Sequence, residues 1–284
     1  MYKLGCENNR GEMLQLSQNE DFYIVEKVEG LSPVKSNIIT TSMANFDGEF
    51  FKHARLEMRN IVITLRIKGD VENNRVNLYE FFNTKDKIKL HYENEHRKVT
   101  IEGYCENFEC DLFTQNETAQ ISIICPSPYW ESMEEIITDI SKKFSNFEFP
   151  FSIPYEGVEL SSVNLNKNTL VINGGDVETG IIIEIESEED GIRNPIIYNA
   201  DTGDFIKINE VLNDGEKIII DTNKGKKSII KIVDGMEYNI INNLDLSSKW
   251  LQLKKGNQFF TYSADSLSEE LIVTIKRSNK YSGV

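Results

Sequence analysis

The stretch EMRNIVITLRIKG, residues 57–69, decides the fold class of this chain. Apolar residues stand at every second position from Ile61 to Ile67, whereas the opposite face carries Thr64 and Arg66. Successive side chains of a strand point to opposite faces, so the run predicts a β-strand with one buried and one exposed face.

Working outward, the same alternation returns in the first half of the chain. In residues 97–107, Val99, Ile101 and Cys105 share one face of a predicted strand. Shorter strands are predicted at 22–28, 87–92 and 119–125.

Two segments of the first half have helical spacing instead. Leu78, Phe81 and Phe82 stand at i, i+3 and i+4, which predicts a short helix packed on the sheet. The apolar pattern from Trp130 to Phe144 predicts a second helix, since acidic residues open it and lysines close it, as the helix dipole favours.

A change of pattern marks the predicted domain boundary. Pro150 and Pro154 lie within residues 145–157, and each proline forces extended geometry on the residue before it. We therefore expect one domain over 1–148 and another over 149–284. In the second, β-branched runs alternate with turn pairs such as Asp214-Gly215, which favours an antiparallel sandwich or barrel. The predicted class is mainly β throughout.

Charge restricts the partners. The formal net charge is −15 over 284 residues, so neither nucleic acid nor an anionic membrane is an expected partner. The N-terminal residues show no signal-peptide pattern, and we expect synthesis in a cytoplasm and no membrane insertion.

A search for chemistry predicts no catalytic, cofactor-binding or metal-binding residue. His91 and His96 flank a predicted turn and could hold a metal with Glu93 or Glu95, but exposed turn residues are the preferred interpretation. The four cysteines, which include no C-x-x-C pair, are expected to be buried, reduced thiols that act as small hydrophobic groups.

Trp250 is the most informative aromatic residue. It alternates with Leu251 and Leu253 in a predicted strand, so either the leucines or the tryptophan face the core. An outward Trp250 could stack on a sugar or fill a protein interface.

Several stretches have to be considered together: 39–70, the short helix with Arg75, Leu78, Phe81 and Phe82, 109–130 with its Cys125-Pro126-Ser127-Pro128-Tyr129 ending, 147–161, 215–225, 247–264 and 281–284. Together they resemble the distal tail proteins of bacteriophages, a family often called Dit. They keep the family's order along nearly the whole chain, and one departure is Ser127, where many relatives carry an acid between the two prolines.

The resemblance implies an N-terminal β-barrel-like domain with one or two helices that forms a ring, usually six-fold, and a C-terminal galectin-like sandwich. It implies a structural protein of the virion tail, with tail tube protein, tail-tip or baseplate hub proteins and receptor-binding proteins as partners, and no catalysis. The alternatives are a non-catalytic carbohydrate-binding protein that attaches to a bacterial cell wall and, more remotely, an enzyme without a known motif.

Overall fold

A computed structural model describes residues 2–16, 22–44, 47–112, 114, 116–141, 143–145, 161–163 and 168–284. The chain forms two compact units. The first contains Met1–Glu134 together with Lys280–Val284, and the second contains Glu135–Asn279. The division differs from the predicted one at 148/149 in both the position of the boundary and the return of the last five residues to the first unit. The predicted linker at 145–157 lies, apart from its first residue, outside the described residues.

The first unit is built on one antiparallel sheet in the order β2-β1-β7-β8-β9-β6-β3. Strands β10 and β27 extend it, because β10 pairs with both β8 and β27. End strands β2 and β3 also contact each other, so the sheet curls towards a barrel. The strands are β1 (Lys3–Glu7), β2 (Met13–Leu16), β3 (Tyr23–Glu29), β4 (Ser36–Thr41), β5 (Phe50–Leu56), β6 (Arg59–Ile67), β7 (Lys87–Glu93), β8 (Lys98–Cys110), β9 (Thr118–Cys125), β10 (Trp130–Ser132) and β27 (Lys280–Tyr281).

The predicted alternation of the central strands is confirmed. The inward residues of β6, from Ile61 to Ile67, are buried in one cluster with Val99 and Ile101 of β8. Helix α1 (Val71–Phe81) begins after Asp70, whose carboxylate accepts a hydrogen bond from the Asn73 amide. Its apolar spacing places Leu78 and the following Phe82 in the same core, as predicted.

The second unit is an antiparallel sandwich. A six-stranded sheet, β11-β26-β16-β21-β22-β23, and a four-stranded sheet, β14-β25-β18-β19, bury their inner faces in one hydrophobic cluster. Its strands are β11 (Ile136–Asp139), β12 (Lys143–Ser145), β13 (Ser161–Val163), β14 (Thr169–Asn173), β15 (Thr179–Gly180), β16 (Ile182–Ser187), β17 (Ile192–Arg193), β18 (Ile196–Asn199), β19 (Phe205–Lys207), β20 (Val211–Leu212), β21 (Lys217–Asp221), β22 (Ser228–Val233), β23 (Met236–Asn239), β24 (Gln252–Leu253), β25 (Gly256–Ser263) and β26 (Leu271–Arg277), with short 3-10 helices at Ile241–Asn243 and Ser268–Glu270.

The helix predicted from Trp130 to Phe144 is wrong. Trp130 begins β10 and is buried in the first core, whereas Ile140 follows β11 and is buried in the second core. The apolar residues of this segment are therefore divided between two cores, and their spacing happens to match that of a helix. Among the described residues, α1 is the single α-helix, and none of the helices there is long and apolar enough to cross a membrane.

Candidate functional site

The main candidate for an interaction surface is a hairpin of the first unit formed by β4 and β5, Ser36–Leu56, which we call the arm hairpin. Its two strands form a separate two-stranded sheet and do not pair with the curved sheet. Large apolar side chains are exposed on both of its faces: Ile38 is 60% exposed and Phe51 is 66% exposed. Ile39 and Phe50 are also exposed.

Local sequence explains why the arm hairpin forms. Isoleucine and threonine fill 38–41 and two phenylalanines open β5, and both kinds of residue favour strands. The register shifts between Ile39 and Thr40, so the strands carry a bulge. The Thr40 hydroxyl and the Glu49 carboxylate form a hydrogen bond near the turn. At the base, the Glu57 amide donates to the Lys35 carbonyl at 3.2 Å.

The arm hairpin lacks the burial that normally stabilises such an element. An isolated two-stranded hairpin is marginally stable in water, and a contiguous exposed apolar patch marks an interaction site. Sequence reasoning missed this surface because it predicted no strand between residues 28 and 57. The available signal was a pair of β-branched and aromatic runs on either side of Asp47-Gly48.

The outer face of the sandwich has a different chemistry, shown by a charge cluster on the six-stranded sheet. Glu184 lies 2.8 Å from the Lys217 ammonium and 2.6 Å from the Lys276 ammonium. Burial raises the pKa of Glu184, but hydrogen bonds from the two lysines outweigh it, so the pKa is lowered. Because Glu184 and the two lysines are charged, this part of the outer face is suited to contact with water or with polar groups.

The two histidines proposed as alternative metal ligands have separate surroundings. His91 Nε2 lies 3.1 Å from the Glu7 carboxylate on the neighbouring strand. The backbone amide of His96 donates to the Asn94 side chain within the turn. In the part of the chain that the structure describes, no three histidine, cysteine or acidic side chains form a group that could hold a metal.

The open question about Trp250 is answered by its neighbours. Leu251 and Leu253 are buried in the sandwich core, and Trp250 is half-buried against the same cluster. The Lys227 ammonium lies 5.2 Å from the centroid of the indole ring. A cation–π contact therefore already occupies one face of the ring.

The cysteines are free thiols, and all four belong to the first unit. Cys6, Cys105 and Cys125 are buried. Burial raises the pKa of Cys105 to about 11 and that of Cys125 to about 12, and it raises the pKa of Cys6 as well. Because the thiolate is disfavoured in the folded state, these residues behave as small hydrophobic groups and not as nucleophiles.

This burial predicts that alkaline pH destabilises the first unit selectively. Its stability should be constant below the ordinary thiol pKa of about 8.5 and fall from there to the raised values, by up to about 1.4 kcal/mol per pH unit for each thiol. Denaturant unfolding at pH 8 and pH 10 would be followed by Trp130 fluorescence in a Trp250→Phe chain. Fluorescence of Trp250 in a Trp130→Phe chain reports unfolding of the second unit, whose free energy of unfolding should change little between the two pH values. A first unit equally stable at both pH values would contradict the prediction, and Cys125→Ala should reduce the slope.

Comparisons with known proteins agree with these two units. Residues 12–125 match a family model described as "Phage tail protein RIFT-related domain", and residues 174–281 match "Siphovirus-type tail component, C-terminal domain". No curated protein matches the chain.

Solved structures of phage tail proteins have the same fold. The Dit protein of phage SPP1, presented as a paradigm of the hub adsorption apparatus of phages that infect Gram-positive bacteria, gives a TM-score of 0.71 at 16% identity, over 98% of each chain. A chain of the activated phage p2 baseplate gives 0.56 at 12% identity with Ca and 0.53 at 11% with Sr, again over 98% of each chain.

A curved sheet unit with a hairpin that exposes apolar side chains suits a protein that assembles with others. The two family matches place this chain among the structural components of phage tails. The matches cover most of the sequence and keep the order of the two domains. The chain belongs to the distal tail protein family, which confirms the resemblance found in its sequence.

Proposed function

We propose that this protein is a non-catalytic structural hub of a phage tail tip or baseplate, or of a related tail-like particle. Copies form a closed ring through the first unit, six-fold as in the family that the sequence resembles. The ring joins the tail tube protein to tip or baseplate proteins and to receptor-binding proteins. The protein is made in the host cytoplasm and ends in the virion tail.

The arm hairpin is the observation that carries this proposal. Ile38 and Phe51 are mostly exposed within the first unit, so a neighbouring copy that covered both faces of the hairpin would stabilise it. Cyclic closure gives every copy the same contact and leaves no unpaired end from which a fibre could grow. The first unit is therefore the ring-forming part.

The alternative function, carbohydrate binding at a cell wall, has weaker support. Trp250 was its leading residue, and the ring is half-buried with Lys227 over one face. A sugar-stacking platform needs an aromatic face open to the ligand, which this contact obstructs.

We expect the full chain to form closed rings whose stability increases from low to moderate salt. The net charge of −15 opposes crowding of identical copies, and salt screens that repulsion. Light scattering at about 20 and about 200 mM salt measures the mass, and negative-stain electron microscopy shows the closed shape. A chain that stays monomeric at every salt concentration, even with tail tube and tip proteins added, would contradict the hub proposal.

A further inference from the structure

Arg59, at the start of β6, is completely buried, and every hydrogen bond of its guanidinium group goes to a backbone carbonyl. Its donors reach Gly30 and, at 2.7 Å, Ser32. Two further donors reach Pro128 at 3.0 and 2.8 Å. The last donor reaches the carbonyl of Ser282 at 2.6 Å, and Ser282 lies 223 positions after Arg59 in the sequence.

The Ser282 carbonyl belongs to Lys280–Val284, which we call the returning segment because it follows the whole second unit in sequence. Independent contacts hold it in the first unit. Strand β27 pairs with β10, and the Arg97 guanidinium lies 4.4 Å from the ring centroid of Tyr281 and donates to the Gly283 carbonyl.

The same segment fixes the loop that leads into the arm hairpin. The Val284 amide donates to the Leu31 carbonyl at 3.2 Å. Gly283 packs so closely on Pro33 that a Cβ at this position would lie 2.9 Å from the proline Cδ.

These contacts lie at both ends of the arm hairpin. Residues 30–33 come just before β4, which begins at Ser36, and Arg59 follows three positions after β5 ends at Leu56. Arg59 and the returning segment thus hold the chain that enters the arm and the chain that leaves it in one cluster of hydrogen bonds.

We propose that the returning segment positions the arm hairpin, so that the surface used for ring contacts is set only after residues 280–284 have been made and docked. This inference rests on the proposed function for its effect on assembly. Its structural part, the coupling of the segment to the arm, stands apart from ring formation. A chain that ends before residue 280 would carry the arm without its anchor and be excluded from the ring.

Hydrogen exchange on the unassembled full chain tests the coupling, compared with a chain that lacks Tyr281–Val284. We expect amides of the arm hairpin and of residues 30–33 to exchange at least ten-fold faster in the shortened chain, with those of the second unit unchanged. Gly283→Val, which displaces the segment from Pro33 without removing it, should produce a smaller acceleration at the same amides. Tyr281→Phe keeps the ring beneath Arg97 and serves as the matched control, with no acceleration.

Light scattering on the same proteins tests the consequence for assembly. The shortened chain should fail to form rings under conditions in which the full chain and Tyr281→Phe form them. Unchanged exchange of the arm in both the shortened chain and Gly283→Val would overturn the inference. Should shortening unfold the whole first unit, Gly283→Val decides: acceleration confined to the arm and residues 30–33 supports the proposal, and its absence refutes it. Failure of the full chain itself to assemble would count against the hub proposal, and the exchange comparison would still test the coupling.

Discussion

Replacing Arg59 by methionine is expected to lower the unfolding midpoint of the first unit by roughly 10 °C or more. Methionine fills much of the volume but donates no hydrogen bond, so the carbonyls of Gly30, Ser32, Pro128 and Ser282 lose the hydrogen bonds that Arg59 donates. A carbonyl that is shielded from water and loses its donor costs up to roughly 1–3 kcal/mol, against a total domain stability of about 5–15 kcal/mol. Burial lowers the pKa of Arg59, yet the guanidinium remains charged at any ordinary pH. The carbonyl oxygens therefore accept hydrogen bonds from a charged donor.

The measurement is thermal unfolding of the full chain followed by Trp130 fluorescence in a Trp250→Phe background. Arg66→Met is the matched control, because Arg66 lies on the same strand but is partly exposed and pairs with Glu26. An exposed ion pair contributes about 1 kcal/mol or less, so the control should shift the midpoint by only a few degrees. Equal shifts for the two variants would show that the carbonyl contacts of Arg59 stabilise the first unit no more than an exposed ion pair does.

Glutamate at either Ile38 or Phe51 is expected to abolish ring formation while leaving the monomer folded. Both side chains are mostly exposed in the monomer, so the substitutions remove little buried area there. In a covered interface, loss of a central apolar anchor costs about 2 kcal/mol or more, which is roughly 30-fold in affinity. Every contact of a closed ring carries the same loss, and a buried unpaired carboxylate adds to it.

Light scattering and circular dichroism on each variant separate assembly from folding. Leu246→Glu is the matched control, since this leucine of the second unit is fully exposed and lies outside the arm hairpin. Its rings should form as in the parent chain. Normal assembly of both arm variants would mean that the arm hairpin is not the contact between copies, and the ring would then need another surface.

The fold was predictable wherever one element served one core. The alternation from Ile61 to Ile67 predicted a buried strand face correctly, because period-two burial leaves a direct mark on sequence. The segment from Trp130 to Ile140 failed for the opposite reason, since its apolar residues belong to two different cores.

The candidate sites were harder to predict because exposure and backbone chemistry leave little trace in sequence. Phe51 looks like a core residue of a strand, and nothing in the local sequence shows that its side chain is mostly exposed. The partner that Ser282 offers to Arg59 is a main-chain carbonyl, which every residue type possesses. The residue pattern therefore does not predict that the returning segment completes the first unit.

The pairing of β10 with β27 also determines how a pulling force would pass through the molecule. The second unit is joined to the first by two chain crossings, one after Ser132 and one before Lys280, and these lie side by side because Glu131 pairs with Lys280. Because the two crossings leave neighbouring strand ends, a pull along the strands loads β10 and β27 in the same direction, and their mutual hydrogen bonds carry little of that load. Such a load falls instead on the pairing of β10 with β8 and on the hydrogen bonds that Arg59 and Arg97 donate to the returning segment. Arg59 and Arg97 thus hold the second crossing to the first unit through main-chain carbonyls, which a substitution of Ser282 would leave in place.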